Sequence, residues 1–149
     1  MRGLVQRVTN ASVAVASDTV GKIDNGLVLF LGVQKDDSKT QADKLLHKVL
    51  HYRLFSDSDH KMNLSLQDIQ GGLLIISQFT LAAETQKGLR PGFSTAASPG
   101  RAESLYQYFV QQAKNQVIDS TITIATGVFG ANMQVALVND GPVTFMLET

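Results

Sequence analysis

The chain has 149 residues, of which 44% are hydrophobic, and its 13 basic residues balance 13 acidic ones. A chain of this length makes one compact domain that buries roughly 70% of the surface its unfolded form exposes, and a balanced charge argues against a long grip on nucleic acid, which draws its affinity from phosphate neutralisation. The absence of cysteine excludes a disulfide framework, a thiol nucleophile and a thiolate metal site.

No apolar stretch has transmembrane or signal-peptide length, so a soluble, cytoplasmic protein with no membrane association is expected. The opening segment alternates around Val5, Arg7 and Val8 and again at Val13 and Val15, which predicts antiparallel strands. Asp24-Asn25-Gly26 supplies a turn before the continuous apolar run Leu27 to Leu31, which reads as a buried strand. Ser38 with Gln41 three residues on has the capping-box pattern, and Ala42, Leu45, Leu46, Val49 and Leu50 follow at helical spacing. The first helix is predicted to run to about Leu54.

Gly71-Gly72 precedes a second apolar run, Leu73 to Ile76, predicted as a central strand. Ser98-Pro99 reads as an N-cap and first helical residue, followed by a stripe of Ala102, Leu105, Tyr106, Phe109, Val110 and Ala113. From Thr121 the patterns return to strand: Ile122 and Ile124, Met133 to Val138, then Val143 to Leu147, separated by glycine-containing turns. The expected fold is a single α/β domain over residues 1–149, mostly antiparallel sheet or barrel-like sheets covered by two amphipathic helices. Strand order does not follow from these patterns.

Several residues invite a chemical reading. His47 and His51 are spaced i, i+4, as two imidazoles on one metal would be, but Lys48 stands where a zinc hydrolase of that pattern needs glutamate and no third ligand is evident. Surface histidines are the better reading. Asp57, Asp59 and Asn63 have oxygen-ligand character without the spacing of a calcium loop. Lys87, Arg90 and Arg101 flank the stretch from Gly88 to Gly100 and offer contacts for a phosphate or two, against the plainer reading of a solvated loop.

Two short strings carry more. SQFTL, Ser77 to Leu81, and NDGPVT, Asn139 to Thr144, each lie at or near the end of an apolar run, where polar groups and amides emerge from a rigid scaffold. Ser77 and Thr80 carry hydroxyls, yet no histidine or acid apart from Asp140 lies in either string to serve as their base. Taken alone, SQFTL reads as a strand end with satisfied hydroxyls, and NDGP as a turn in which glycine supplies positive φ and proline stiffens the exit.

Both strings, together with QRVTNASV (Gln6 to Val13), FSDSDHKMNLS (Phe55 to Ser65), LRPGFS (Leu89 to Ser94) and SPGRAESLYQYF (Ser98 to Phe109), resemble the D-aminoacyl-tRNA deacylases over nearly the whole chain. The resemblance implies an enzyme that cleaves D-amino acids from tRNA, with the family's fold, no cofactor and no metal. It assigns the strand end at Ser77, Gln78, Phe79 and Thr80 to catalysis, with backbone N–H groups around Phe79 and Thr80 as oxyanion donors. Fixed amides stabilise the developing charge without reorganisation, so a nucleophilic side chain becomes optional. The family's mechanism is viewed as RNA-assisted, with the terminal ribose 2′-OH helping to activate water and the protein mainly positioning the reactants.

By the same resemblance, Gln78 and Met133 shape the pocket for the 3′-terminal adenosine. Gly141-Pro142 is implied to be cis and inserted from one subunit into the pocket of the other, rejecting L side chains by a built-in clash. Arg7 braces that segment, and Asn139 and Thr144 anchor its ends. The implied partners are the 3′ end of aminoacyl-tRNA and a second copy of the chain in a two-fold homodimer; glycine, lacking a side chain, passes the filter, so glycyl-tRNA(Ala) is an implied substrate. Two alternatives stand beside this: a deacylase for small L-aminoacyl-tRNA, in which the Gly-Pro is thought to be trans, and a non-catalytic dimer binding RNA 3′ ends. Arg7 favours the D-specific branch, and the intact pair of strings argues against the second.

Overall fold

A computed structural model describes residues 1–86 and 88–149, so Lys87 lies outside the described residues. Its frame is β1 (Arg2–Val15), β2 (Asp18–Ile23) and β3 (Gly26–Gly32), then helix α1 (Lys39–His51), the small strands β4 (Phe55–Ser56) and β5 (Met62–Leu64), and a single-turn helix α2 (Leu66–Ile69). Strand β6 (Gly72–Ser77) runs into a 3₁₀ turn (Phe79–Ala82), and helix α3 (Pro99–Gln116), β7 (Ile124–Thr126) and β8 (Gln134–Glu148) complete it. Among the described residues, no helix is long and apolar enough to cross a membrane.

The main sheet has the order β2-β1-β3-β6-β7, with β8 also paired to β1. All pairings of β1 are antiparallel, whereas β3–β6 and β6–β7 are parallel. Parallel neighbours need crossovers, and α1 lies within the first crossover and α3 within the second. The sheet curls toward closure: a Cβ placed on Gly21 of β2 would lie 2.6 Å from the Thr126 carbonyl of β7.

The two continuous apolar runs are explained by burial on both faces. Leu27, Leu29 and Leu31 of β3, with Leu73 and Ile75 of β6, face a core shared with Leu45, Leu46, Leu50, Leu105 and Phe109 of the long helices. Val28, Leu74 and Ile76 face the opposite way, into a second core with Val8, Val13 and Ile23 beneath the curled sheet. Strand β1 serves both cores, with Val5 in the first and Val8, Ala11 and Val13 in the second. Its pairing with β8 shifts register between these groups, around Gln6–Val8 and Val8–Asn10.

Both long helices lie at the predicted places, with differences at their ends. The capping box is made, Ser38 and Gln41 binding each other's backbone reciprocally. The helix stops at His51, short of the expected Leu54, because Tyr52 turns extended at ψ 129°. The Leu54 carbonyl is then free of the helix and accepts from Arg7 Nη1 at 2.7 Å. Ser98 occupies the N-cap of α3, but its side chain makes no capping bond there.

One larger expectation is corrected. The runs Met133 to Val138 and Val143 to Leu147 are not two strands joined by a turn; from Gln134 on they lie on one strand, β8, with Met133 just before it. Both flanks pair with β1, Asn139 opposite Val8 and Thr144 opposite Gln6. Because the same partner strand continues past the excursion, the chain does not reverse, and the four residues Asp140 to Val143 are extruded as a bulge opposite Arg7.

Candidate active site

The end of β6 opens into a cavity of about 490 Å³. Its wall includes Ser77, Gln78 and Phe79 from the strand end, Tyr106 from α3, and Phe129 and Met133 from the segment before β8. Thus Met133, more than fifty positions from SQFTL, is brought to it by the return of the chain, whereas Thr80 is not among the wall residues.

The local backbone explains why this strand end is chemically open. Gln78 donates its N–H to the Leu31 carbonyl at 2.8 Å, the last link to β3, and the chain then tightens into the 3₁₀ turn Phe79–Ala82. The first N–H groups of a helix have no partner within it. No side chain caps this turn, and among the described residues nothing accepts from the amides of Phe79 or Thr80. Two free donors therefore stand where the strand meets the cavity. Leu81 and Ala83, by contrast, donate to Gln78 and Thr80 carbonyls.

The hydroxyls lack the setting of a nucleophile. Thr80 Oγ1 accepts from Gln78 Nε2 at 2.6 Å, and no histidine or acidic side chain is among its hydrogen-bond partners. Tyr106 is the titratable group of the cavity wall; burial pushes its phenol up to about 12, and its hydroxyl donates to the Ile75 carbonyl at 2.9 Å. Tyr106 and Phe129, whose ring centroids are 5.7 Å apart, are wall residues that sequence reasoning left in the helix stripe or passed over. The one available signal was a phenol in an otherwise mostly aliphatic and small-residue face, and it does not distinguish core from cavity.

The NDGPVT segment is organised separately. Asn139 Nδ2 donates to the carbonyls of Arg7 (2.9 Å) and Val143 (3.1 Å), spanning the base of the bulge. Thr144 Oγ1 approaches Asn139 Oδ1 at 3.4 Å and accepts from Gln6 Nε2 at 3.1 Å. Within the bulge Gly141-Pro142 is a cis peptide, and Gly141 has φ +117°, open to glycine and strained for other residues. A Cβ there would also lie 2.8 Å from Val143 Cγ2 and 3.1 Å from Arg7 Nη2.

The sheet register fixes how far apart the two segments are in one chain. Arg7 pairs with Leu27, and Leu27 with Leu73, whereas Ser77 pairs with Leu31, and Leu31 with Gly3. The two rungs are four residues apart, roughly 13 Å along the strands. Gly141 and Pro142 are absent from the cavity wall. Ser77, Gln78, Phe79 and Met133 are thus gathered at one place, and Arg7, Asn139, Gly141, Pro142 and Thr144 at another.

The remaining candidates have local roles. His47 and His51 stack at 4.2 Å on the exposed side of α1, with His51 Nδ1 against the His47 carbonyl at 2.8 Å. Asp57 Oδ1 accepts from the amides of Asp59 and Lys61, which holds its carboxyl below the ordinary range and ties down its loop. Arg101 Nη2 donates to the Asp37 carbonyl at 2.7 Å, which anchors the guanidinium without neutralising its charge. Arg90 is exposed and makes no ion pair or hydrogen bond among the described residues.

Comparison with known proteins now bears on this arrangement. The profile of the family described as D-Tyr-tRNA(Tyr) deacylase matches residues 4–148. A D-aminoacyl-tRNA deacylase of Pseudomonas putida is 60% identical over 148 residues, covering 99% of each chain. Among solved structures, a c-Myc DNA Unwinding Element Binding Protein superposes with a TM-score of 0.93 at 37% identity, covering 100% of this chain and 99% of the other. A probable eukaryotic D-amino acid tRNA deacylase shares the fold, with a TM-score of 0.85 at 16% identity over 99% of this chain and 98% of that one.

Proposed function

The chain belongs to the D-Tyr-tRNA(Tyr) deacylase family, and from that premise we propose that it hydrolyses the ester joining a D-amino acid to the 3′ end of tRNA. The observation that carries this reading is the uncapped 3₁₀ turn at the cavity, with the unpartnered amides of Phe79 and Thr80. The cavity holds the terminal adenosine and the aminoacyl group between Gln78 and Met133. Water adds to the ester carbonyl, the oxyanion is held by those amides, and collapse expels the ribose oxygen, which takes up a proton, leaving tRNA and a free D-amino acid. The neighbouring ribose hydroxyl assists the attacking water, so the protein acts mainly by positioning. The Gln78–Thr80 side-chain bond supports this division of labour, since it gives Thr80 a partner that cannot act as a base.

In this reading chirality is read by exclusion, through the Gly141-Pro142 bulge of a second copy of the chain seated in the cavity. The separation of roughly 13 Å between the two segments in one protomer supports a donor from another protomer. An L side chain meets the inserted backbone, a D side chain points away from it, and glycine passes, which makes glycyl-tRNA(Ala) a substrate as well. Bracing by Arg7, Asn139 and Thr144 keeps the bulge in place. The work is a cytoplasmic proofreading step of a homodimer.

Deacylation of matched D- and L-aminoacyl-tRNA by the purified protein, with sedimentation of the same sample, tests both parts. The expected result is D-selective hydrolysis by a dimer, unaffected by a chelator. Loss of turnover on chelation with recovery on adding zinc would return attention to His47 and His51 and remove the amide account.

A further inference from the structure

We infer that the aromatic pair formed by Phe79, on the cavity wall, and Phe93, packed against it, is a stacking platform for the base of the nucleotide preceding the terminal adenosine of a single-stranded RNA 3′ end. The inference rests on the reading of the cavity as the seat of that adenosine.

Phe79 is part of the cavity wall yet 61% exposed, and Phe93 is 40% exposed. Their ring centroids are 5.1 Å apart, tilted by 47°. Single exposed apolar residues are ordinary on a protein surface, but two touching phenyl rings at a cavity rim, left in water, are not. The rings are held in place by the backbone. Phe79 begins the 3₁₀ turn, and Phe93 follows the Glu84–Gly92 bridge, whose two bonds are 2.7 and 3.1 Å long. On the other side of Phe93 the chain is tied again, with the Lys35 amide donating to the Thr95 carbonyl at 3.0 Å and the Thr95 hydroxyl bound to the Ala82 carbonyl.

The balanced charge of the chain fits an occupant held mainly by stacking. With 13 basic and 13 acidic residues, phosphate neutralisation offers little affinity beyond a contact or two of the kind that exposed Arg90, three residues from Phe93, could make. Unpaired bases, however, present a π-face whatever their identity, and stacking on aromatic side chains is the usual means of holding single strands. Phe79 continues the platform directly from the cavity, which offers a strand whose last base is inside a path over these rings.

The test is to titrate adenosine, a diribonucleotide and a triribonucleotide, each ending in a 3′ adenosine, into wild type, Phe93→Ala and Phe93→Tyr. Stacking one base is worth about 5- to 150-fold in Kd, the range corresponding to roughly 1–3 kcal/mol. The wild type and Phe93→Tyr should gain that factor from adenosine to the diribonucleotide, with little dependence on salt. Phe93→Ala, which keeps only Phe79, should lose most of that gain. Equal wild-type affinities, an unchanged gain in Phe93→Ala, or a gain that vanishes in moderate salt would each overturn the platform. So would a change of oligomeric state in Phe93→Ala with unaltered nucleotide affinity, which would assign the rings to a protein contact. Turnover of D-aminoacyl-tRNA, measured in parallel, reports on the deacylase reading separately, because the binding ratio does not require hydrolysis.

Discussion

Arg7 and Asp140 form an ion pair at 2.9 Å that ties β1 to the bulge of β8, and the same guanidinium donates to the Leu54 carbonyl through Nη1. The Arg7 side chain is 12% exposed and that of Asp140 45%. The Nε–H does not lie along the line to the carboxylate, so the pair is coulombic rather than a directed hydrogen bond.

This asymmetry separates two variants. Asp140→Asn removes a half-exposed partner and should cost under about 1 kcal/mol of stability. Arg7→Ala also leaves the Leu54 carbonyl unpaired, with an expected loss of about 1–3 kcal/mol. If the bulge is the chiral filter, Arg7→Ala should in addition lower the ratio of D- to L-deacylation. Denaturant melts and paired deacylation assays check this; an Arg7→Ala dimer with unchanged D-over-L ratio would return the bulge to a purely structural role.

The Gln78–Thr80 bond makes a second expectation concrete. Thr80→Ala should retain kcat within about tenfold, since removing an obligatory nucleophile costs several orders of magnitude. Single-turnover kinetics decide it. A folded Thr80→Ala protein that binds adenosine but has lost thousands of fold in rate would identify the hydroxyl as the nucleophile.

The Tyr106 phenol gives an alkaline signature. Its folded pKa, about 12, lies above the unfolded value of 10, so the folded state keeps a proton that the unfolded state releases. Its contribution to stability is full below pH 10 and is lost as pH rises toward 12. Tyr108, raised by its hydrogen bond to Asp43, has the same sign, so the comparison must be with Tyr106→Phe. That variant should show a flatter loss of stability between pH 10 and 12, and a deficit of about 0.5–1.5 kcal/mol at neutral pH from the missing bond to Ile75. An equally steep alkaline limb in Tyr106→Phe would show that the phenol remains accessible to base.

Gly26 permits the close approach of β3 and β6. A Cβ there would lie 1.9 Å from the Gly72 carbonyl oxygen, backbone against backbone, with no flexible side chain to yield. Gly26→Ala should therefore cost about 3 kcal/mol or more, far beyond the roughly 1 kcal/mol of an average substitution. A thermal melt within a few degrees of wild type would contradict this packing.

Much of this protein is legible in the chain itself, for local reasons. The Ser38–Gln41 box, the Ala42 to Leu50 and Ala102 to Ala113 stripes, and the runs Leu27 to Leu31 and Leu73 to Ile76 depend on near neighbours and on period, so α1, α3, β3 and β6 follow from residue order. The deacylase resemblance was legible as well, because SQFTL and NDGPVT are contiguous strings. The tertiary structure alone decided what depends on distant partners. That NDGP is a bulge rather than a hairpin turn depends on β1 pairing with both its flanks. The partner that the Leu54 carbonyl finds beyond α1 is Arg7 of β1, 47 positions away. The cavity depends on Tyr106 of α3 and on Phe129 and Met133 of the segment before β8 meeting the end of β6 from two remote stretches. Hydrophobic period specifies which face is buried, but it does not record which strand lies alongside, and the distance between Arg7 and Ser77 follows only from that pairing.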